Sequence, residues 1–135
     1  HCIVGEGILT DYLLSSYSAR RLGLKTTGNS GGVRNLVLRP GGRTGTNLMD
    51  GLASGLYVTE VMGQGVNLVT GDYSRGASGF AIRNGQLSHP VEEVTIAANL
   101  RDMFLSIIAA GSGLDTRGNI HAGEILLAEM MVAGG

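Results

Sequence analysis

The frequency of glycine limits what this chain can fold into more than any other feature of its sequence. Glycine supplies 23 of the 135 residues, whereas it makes up about 7% of an average protein. The glycines follow no fixed period, which excludes collagen and simple repeats. They separate short apolar runs, a pattern typical of strands joined by tight turns. We therefore expect a β-rich fold.

Composition and length indicate a single globular domain over residues 1–135. Hydrophobic residues make up 43% of the chain and charged residues 16%, which is typical of a globular protein rather than a disordered one. The net charge is -1 and the isoelectric point is near 6.3. This balance predicts no binding to nucleic acid or to an anionic membrane.

Two further absences in the sequence bear on where the protein works. No apolar run reaches the roughly 18 residues of a transmembrane helix, and no signal peptide is visible. The single cysteine, Cys2, cannot form an internal disulfide, and this favours a reducing compartment. The chain begins at His1 without a methionine, so we expect it to be processed or to be part of a longer protein.

The apolar segments predict an α+β fold with mostly antiparallel strands. Extended character predicts strands over 35–39, 55–62, 66–70 and 91–97, with an extended run over 8–14. The first of these strands is expected to end at Pro40-Gly41-Gly42. A short helix is predicted over about 16–22, because Ser15 and Ser16 are good caps and Gly23 can close it.

The clearest turn signal is Asn84-Gly85, which tolerates the positive φ angles of a two-residue hairpin. Pairing outward from this turn places Ile82 opposite Leu87 and Phe80 opposite His89. We expect Pro90 to interrupt the ladder and His89 to lie at a sheet edge rather than to bind a ligand.

One strong amphipathic helix is predicted over about 99–110. Its apolar stripe has helical spacing and consists of Leu100, Met103, Phe104, Ile107 and Ile108. Asn99 is the expected N-cap and Gly111 the expected left-handed residue that follows the helix. The segment 124–132 is short and apolar with high helix propensity, so local patterns leave helix and strand equally open.

The stretch Lys25-Thr26-Thr27-Gly28-Asn29-Ser30-Gly31-Gly32 is similar to the GDSGG sequence around the nucleophile of chymotrypsin-like proteases. A serine nucleophile needs a hydrogen-bonded base and a group that orients this base. None of the three histidines has a context that marks such a base. We interpret the stretch as a glycine-rich turn in which Asn29 and Ser30 bond to nearby backbone.

Metal-binding and catalytic motifs are also missing from the sequence. It contains no HExxH, HExxxH or CxxC, and His121 and Glu124 have no third ligand nearby in sequence. Glu60, Asp72, Glu92 and Glu93 could form a carboxylate pair only through tertiary contact, and a solvated face is the expectation for the last two. We predict no catalytic and no metal-binding residue.

One long string is specific enough to indicate a family. The residues 59–80 read TEVMGQGVNLVTGDYSRGASGF, preceded by DYLLSSYSARRLGLKTTGN at 11–29 and followed by IRNGQLSHPVEEVTIAANL at 82–100. Together they resemble the TldD/PmbA family of peptidases, and more narrowly its PmbA branch, also called TldE. The resemblance extends from about residue 5 to 134, in the motif order of the family.

The resemblance implies that the chain is the C-terminal domain of a protein more than three times longer. Family members are cytoplasmic dimers with an N-terminal α/β domain, absent from this chain, and a β-rich C-terminal domain. The TldD subunit holds zinc with an HExxxH helix and a cysteine in a G-x-C-G-K context, and the zinc activates water for peptide cleavage.

The cysteine position of TldD corresponds to Ala122 in this chain, aligned on Gly123. Alanine has no ligand atom, and His121 is a poor substitute because neighbours on a strand point to opposite faces. This departure fits the PmbA branch, whose members resemble TldD without its metal site. The resemblance also favours a strand for the segment 124–132.

The resemblance therefore implies a non-catalytic PmbA/TldE-like subunit that binds no cofactor itself. Its partner would be a TldD-like catalytic subunit that holds the zinc, or a second copy of itself, and the pair would process extended or unfolded peptides. The alternative is a self-sufficient metallopeptidase whose HExxxH lies in the missing N-terminal part. A binding module that acts alone is a third possibility.

The segment 71–79 is the predicted contact with a partner or an extended substrate. We expect it to be a glycine-framed loop that presents Asp72, Tyr73, Ser74 and Arg75. Arginine and tyrosine are enriched at interfaces because each combines contact area with directed hydrogen bonds. The alternative is a solvated turn in which Asp72 and Arg75 form a weak surface ion pair.

Overall fold

A computed structural model describes residues 1–39 and 48–134 of the chain. The chain forms two compact units, one over His1–Leu38 and Asp115–His121, and the other over Arg39–Leu114 and Ala122–Gly135. The expected strand end at Pro40-Gly41-Gly42 lies outside the described residues. The single domain over residues 1–135 stays a prediction.

The strands are β1 (Val4–Gly5), β2 (Ile8–Leu9), β3 (Leu36–Val37), β4 (Ser54–Met62), β5 (Asp72–Arg83), β6 (Gln86–Asn99), β7 (Ile107–Ala110), β8 (Ile120–His121), β9 (Ile125–Leu127) and β10 (Met131–Ala133), and the helices are α1 (Ser16–Leu22) and α2 (Leu100–Leu105).

The first unit contains the short helix α1, which confirms the prediction over 16–22. The Ser15 hydroxyl accepts from the Ser18 amide at 3.1 Å, and the Ser18 hydroxyl accepts from the Ser15 amide at 2.9 Å. These two bonds satisfy amides that have no partner inside the helix. Gly23 ends the helix with a φ of 66°, and Ala19 is buried.

Two short pairings complete the first unit. β1 and β2 are antiparallel, and β3 pairs in parallel with β8 through Leu36 and Ile120. The predicted strand over 35–39 contains a strand of two residues, so it was predicted too long, and the extended run over 8–14 begins with the two residues of β2.

The second unit is built on a four-stranded antiparallel sheet with the order β10-β6-β5-β4. One face of its central strands carries the buried Ala77, Val94 and Ile96. Partly buried hydrophobic residues pack against this cluster; they are Leu56, Tyr73, Val91 and Met130. The strand-rich, mostly antiparallel α+β class is thereby confirmed.

The hairpin between β5 and β6 turns at Asn84-Gly85, where φ is 49° and 74°, and Ile82 pairs with Leu87. Both features confirm the predicted turn. The predicted pairing of Phe80 with His89 is wrong, because Phe80 pairs with Pro90. A bulge shifts the register by one residue between these pairs. β6 continues through Pro90 instead of being interrupted there.

Two segments before and inside β5 differ from their predictions. The predicted strand over 66–70 is wrong: Val66 forms one isolated bridge with Tyr73, and the residues after it turn. The segment 71–79, expected to be a loop, lies almost entirely in β5. Gly79 marks a close approach between strands rather than a turn, because a Cβ there would lie 1.9 Å from the carbonyl oxygen of Tyr57.

The strong helix forms, but α2 ends at Leu105 instead of near residue 110. Asn99 is its N-cap as predicted, and its side chain accepts from the Arg101 amide at 3.1 Å. The C-cap is Ser106 and not Gly111. β7 follows because the β-branched Ile107 and its neighbours pair with β9. The segment 124–132 contains β9 and the start of β10, which confirms the strand that the resemblance implied.

Candidate functional site

The predicted contact residues lie at the beginning of β5. The Asp72 carboxylate accepts from the Thr70 hydroxyl at 2.6 Å. The Arg75 guanidinium donates to the carbonyl oxygens of Met62 and Val61 at 3.4 and 3.5 Å. Asp72 and Arg75 therefore bond to different partners instead of forming the surface ion pair that was the alternative prediction. The Arg75 side chain links β5 to the end of β4.

Tyr73 and Ser74 have different surroundings within the same strand. Tyr73 is half-buried and packs against the cluster of Ala77, Val94 and Ile96. Ser74 is exposed, and its amide donates to the Gly65 carbonyl at 2.7 Å. Tyr73 therefore contributes to packing, whereas Asp72 and Ser74 present polar groups to solvent.

A tight turn before β5 was missed by the sequence analysis. The Asn67 side-chain oxygen accepts from the amides of Val69 and Thr70 at 2.9 and 3.2 Å. The Asn99 side chain donates to the Thr70 carbonyl at 3.0 Å, which ties this turn to the beginning of α2. The turn presents Leu68 and Val69 at 85% and 95% exposure. An asparagine that bonds to amides two and three residues later is a known turn signal, and it could have identified this segment.

A second site within the same unit combines residues that are far apart in sequence. The Tyr57 hydroxyl donates to Glu124 Oε1 at 2.7 Å. This hydrogen bond, the carboxylate charge and partial burial raise the pKa of Tyr57 above its ordinary value. Glu124 also lines a cavity of about 230 Å³ with Leu48, Gly111, Ser112 and Gly113. No motif in the sequence joins Tyr57 to Glu124, so only the fold brings them together.

Replacing Glu124 with glutamine is expected to lower the pKa of Tyr57 towards its ordinary value, because the substitution removes the charge that opposes tyrosinate formation. Since the folded-state pKa is raised, the hydrogen bond stabilises the fold below pH 10 and is lost as the pH rises through the raised pKa. Absorbance near 295 nm during a pH titration, compared with a Tyr57→Phe variant, isolates this residue among the four tyrosines. An unchanged titration of Tyr57 in the glutamine variant would contradict the contact.

The position of the expected family ligand is occupied by Ala122, which has no donor atom. Next to it, His121 Nε2 lies 3.0 Å from the Gly118 carbonyl oxygen. Cys2 Sγ donates to the Val4 carbonyl at 3.3 Å. Within residues 1–39 and 48–134, no three His, Cys, Asp or Glu side chains are grouped closely enough to hold a metal ion. The described residues therefore do not fit a zinc site.

The remaining sequence candidates lie in a turn or on the exposed part of β6. The Asn29 side chain donates to the Gly32 carbonyl at 3.2 Å, which confirms its part in the glycine-rich turn around Ser30. His89 lies on β6, with its Nδ1 3.4 Å from the Ser88 hydroxyl. Glu92 and Glu93 are exposed, as expected for a solvated face. Neither helix of the described chain has the length and apolar character needed to cross a membrane.

Comparison with known proteins places this geometry in a family. Residues 2–134 match the family model described as the PmbA/TldA metallopeptidase C-terminal domain. The chain is 51% identical over 132 residues to metalloprotease PmbA from Escherichia coli O157:H7, covering 98% of this chain and 29% of that protein. The chain belongs to the PmbA/TldD family. It is also 49% identical over 133 residues to a PmbA homologue from Haemophilus influenzae, covering 98% of this chain and 30% of that protein.

Solved structures agree with the PmbA/TldD assignment. A Thermotoga maritima protein described as a modulator of DNA gyrase has a TM-score of 0.87 and 32% identity, covering 97% of this chain and 32% of its own. A similarly described protein from Bacteroides thetaiotaomicron has a TM-score of 0.79 and 26% identity, with coverage of 98% and 30%. The chain thus spans about a third of the length of the PmbA/TldD proteins it matches.

Proposed function

We propose that this chain is the C-terminal domain of a PmbA/TldE-like subunit that binds no zinc itself. The subunit works with a TldD-like catalytic partner in a cytoplasmic peptidase that processes extended or unfolded peptides. The observation that carries the proposal is Ala122. An alanine methyl group supplies no ligand at the position where the family resemblance places the zinc-binding cysteine.

The amount of exposed surface supports a role within a larger assembly. The chain exposes 9996 Å² for a mass of 14.0 kDa. Two separate globular proteins with the masses of the two units would together expose about 8,000 Å². The surplus of about 2,000 Å² is comparable to what one side of a large obligate interface buries.

Exposed apolar side chains also support a role within a larger assembly. In the second unit, Phe104 and Leu105 at the end of α2 are 70% and 77% exposed. Leu68 and Val69 on the turn before β5 are more exposed still. Large side chains of this kind are costly in water, and they favour burial against the rest of the polypeptide or a partner subunit.

Asp72 and Ser74 support contact with a partner or an extended peptide from the beginning of β5. Both side chains are exposed, and β5 holds their positions by pairing with Asn99 and Ala97 of β6, while the Ser74 amide donates to the Gly65 carbonyl on the other side. Arg75 is already bonded to the carbonyls of β4, so its contribution to such a contact is to position the strand.

The alternative is a self-sufficient metallopeptidase whose HExxxH lies outside this chain. Two observations favour it: the relatives carry the name metalloprotease, and this chain covers 29% and 30% of two of them. In that case the full-length protein would cleave peptides without a partner.

Reconstitution separates the two candidates. The full-length protein, a TldD-like subunit and their mixture are each incubated with an unfolded peptide, and cleavage is followed by mass spectrometry. We expect cleavage by the mixture only, with zinc bound in stoichiometric amount by the TldD-like subunit. Cleavage by the full-length protein alone, abolished by a chelator, would support the self-sufficient enzyme instead.

The same mixture tests the polar residues of β5. The double substitution Asp72→Ala and Ser74→Ala is expected to weaken assembly or cleavage by up to about fivefold, because an exposed polar contact contributes up to about 1 kcal/mol. Glu92→Ala, which removes an exposed carboxylate from β6, is the matched control and should have no effect. Equal behaviour of both variants would show that the beginning of β5 makes no functional contact.

A further inference from the structure

The cavity beside Glu124 has a size that suits one side chain rather than a large ligand. Its volume is about 230 Å³, and its lining contains two glycines, Gly111 and Gly113. Because glycine has no side chain, these positions bring backbone groups to the wall. Pockets for drug-sized ligands have volumes of about 300–1,000 Å³. A single side chain or a chain terminus fits the smaller space.

The charge of the cavity wall comes from a carboxylate that has no cationic partner among the described residues. The ion pairs between described residues are His1 with Asp11 and Arg117 with Asp115. Glu124 accepts the Tyr57 hydroxyl on Oε1, at 2.7 Å. An ionised carboxylate offers about four acceptor positions, and among the described side chains only Tyr57 donates to Glu124.

We infer that Glu124 and Tyr57 form a binding site for an ammonium group, carried by a lysine side chain or by the amino terminus of a peptide. A guanidinium binds a carboxylate best through two parallel hydrogen bonds, which need both oxygens. The Tyr57 hydroxyl already approaches Oε1, so a two-pronged arrangement would compete with it. An ammonium is a compact charge with three donors, so it can bind to Glu124 Oε2 beside the cavity without displacing the Tyr57 hydroxyl from Oε1.

The raised pKa of Tyr57 is compatible with this role, because the phenol stays neutral and continues to orient the carboxylate at physiological pH. The inference rests on the proposed peptide substrate and adds a preference for positive charge at one position of that peptide. Gly123 supports the geometry, since a Cβ there would lie within 2.4 Å of the Gly111 carbonyl oxygen, so the two segments pack in direct backbone contact.

Three labelled peptides of otherwise identical sequence test the site in the full-length protein, paired with its catalytic partner. One carries a lysine and an acetylated amino terminus, one has norleucine and a free amino terminus, and one has norleucine and an acetylated terminus. Fluorescence anisotropy measures their affinities. We expect one of the first two peptides to bind at least about fivefold more tightly than the third, a preference that a single charge-assisted hydrogen bond can supply. The tighter of the two identifies the source of the ammonium.

Substitutions assign the preference to Glu124. Glu124→Gln should abolish it, Tyr57→Phe should reduce it, and Glu124→Lys should turn it into discrimination against the charged peptide. Glu92→Gln makes the same chemical change at another exposed carboxylate, on β6 away from the cavity lining, and should leave the preference intact. Circular dichroism of each variant checks folding, and the lysine variant tests the charge if the glutamine variant does not fold.

Equal affinity for the three peptides, or a preference that survives Glu124→Gln, would overturn the ammonium site while leaving the proposed peptide-processing role in place. If none of the peptides bound the assembled protein, the proposed substrate class would be wrong instead. In that event a titration with N-acetyl-lysine amide, followed by nuclear magnetic resonance, still tests the site. Absence of shifts that depend on Glu124 would overturn the inference.

Discussion

Replacing Gly79 with alanine is expected to lower the local free energy of unfolding of the sheet by at least about 3 kcal/mol, the upper end of the cost of overpacking. Gly79 is buried in β5, and a Cβ at this position would lie 1.9 Å from the carbonyl oxygen of Tyr57 and 2.9 Å from its carbonyl carbon. The clash is with backbone, so no rotamer change can relieve it. β5 pairs on both sides here, with β4 through Val58 and with β6 through Val91, which prevents the strand from moving away.

Gly76 is the matched control on the same strand. A Cβ there would lie 3.6 Å from Met62 Cβ, an ordinary contact. Gly76→Ala should therefore change stability by less than about 1 kcal/mol, since alanine restricts the unfolded chain. Hydrogen exchange of the β5 amides in the full-length protein measures the local free energy of unfolding for both variants. Similar exchange in the two variants would contradict the close approach of β4 and β5 at Gly79.

Replacing Ile96 with alanine is expected to cost about 3 kcal/mol, within the range of about 2–5 kcal/mol for removing a large aliphatic side chain from a core. Ile96 is 5% exposed and packs with Ala77 and Val94. Ala77 is too small to fill the space that the substitution would leave, and the other large residues that pack against the cluster are only partly buried.

Thr95→Ala is the control, since Thr95 is the exposed neighbour of Ile96 on β6 and faces the opposite side of the sheet. Its replacement should change stability by less than about 0.5 kcal/mol. Thermal unfolding and hydrogen exchange of the full-length protein compare the two variants. Equal loss in both would mean that the face carrying Ile96 is not the core of the sheet.

The features that sequence reasoning predicted correctly depend on contacts between residues close in the chain. The helix over 16–22 is closed by Ser15 and Gly23, both adjacent to it. The hairpin turn depends on Asn84 and Gly85, whose φ angles of 49° and 74° these residue types tolerate. The lack of a metal ligand at Ala122 also follows from the sequence alone, because an alanine side chain contains no ligand atom.

Family resemblance correctly favoured a strand for a segment in which local patterns left helix and strand equally open. The segment 124–132 has residues of high helix propensity, yet it contains β9 and the start of β10. Pairing partners elsewhere in the chain outweigh a propensity difference of a few tenths of a kcal/mol per residue. The family motifs carry this information only because related chains share the same long-range pairing.

Tertiary structure alone decided the end of α2 and the state of the segment 71–79. The apolar spacing of Ile107 and Ile108 continues the helical stripe, but β7 pairs with β9 through Ile107, Ala109 and Ala110 and forms a sheet instead. The glycines of 71–79 resemble turn residues when considered locally, whereas the close approach of β4 makes Gly79 a strand residue. The pair of Tyr57 and Glu124 spans 67 residues. No local pattern encodes such a contact, because it forms only when β4 and the residue before β9 are brought together in the same folded unit.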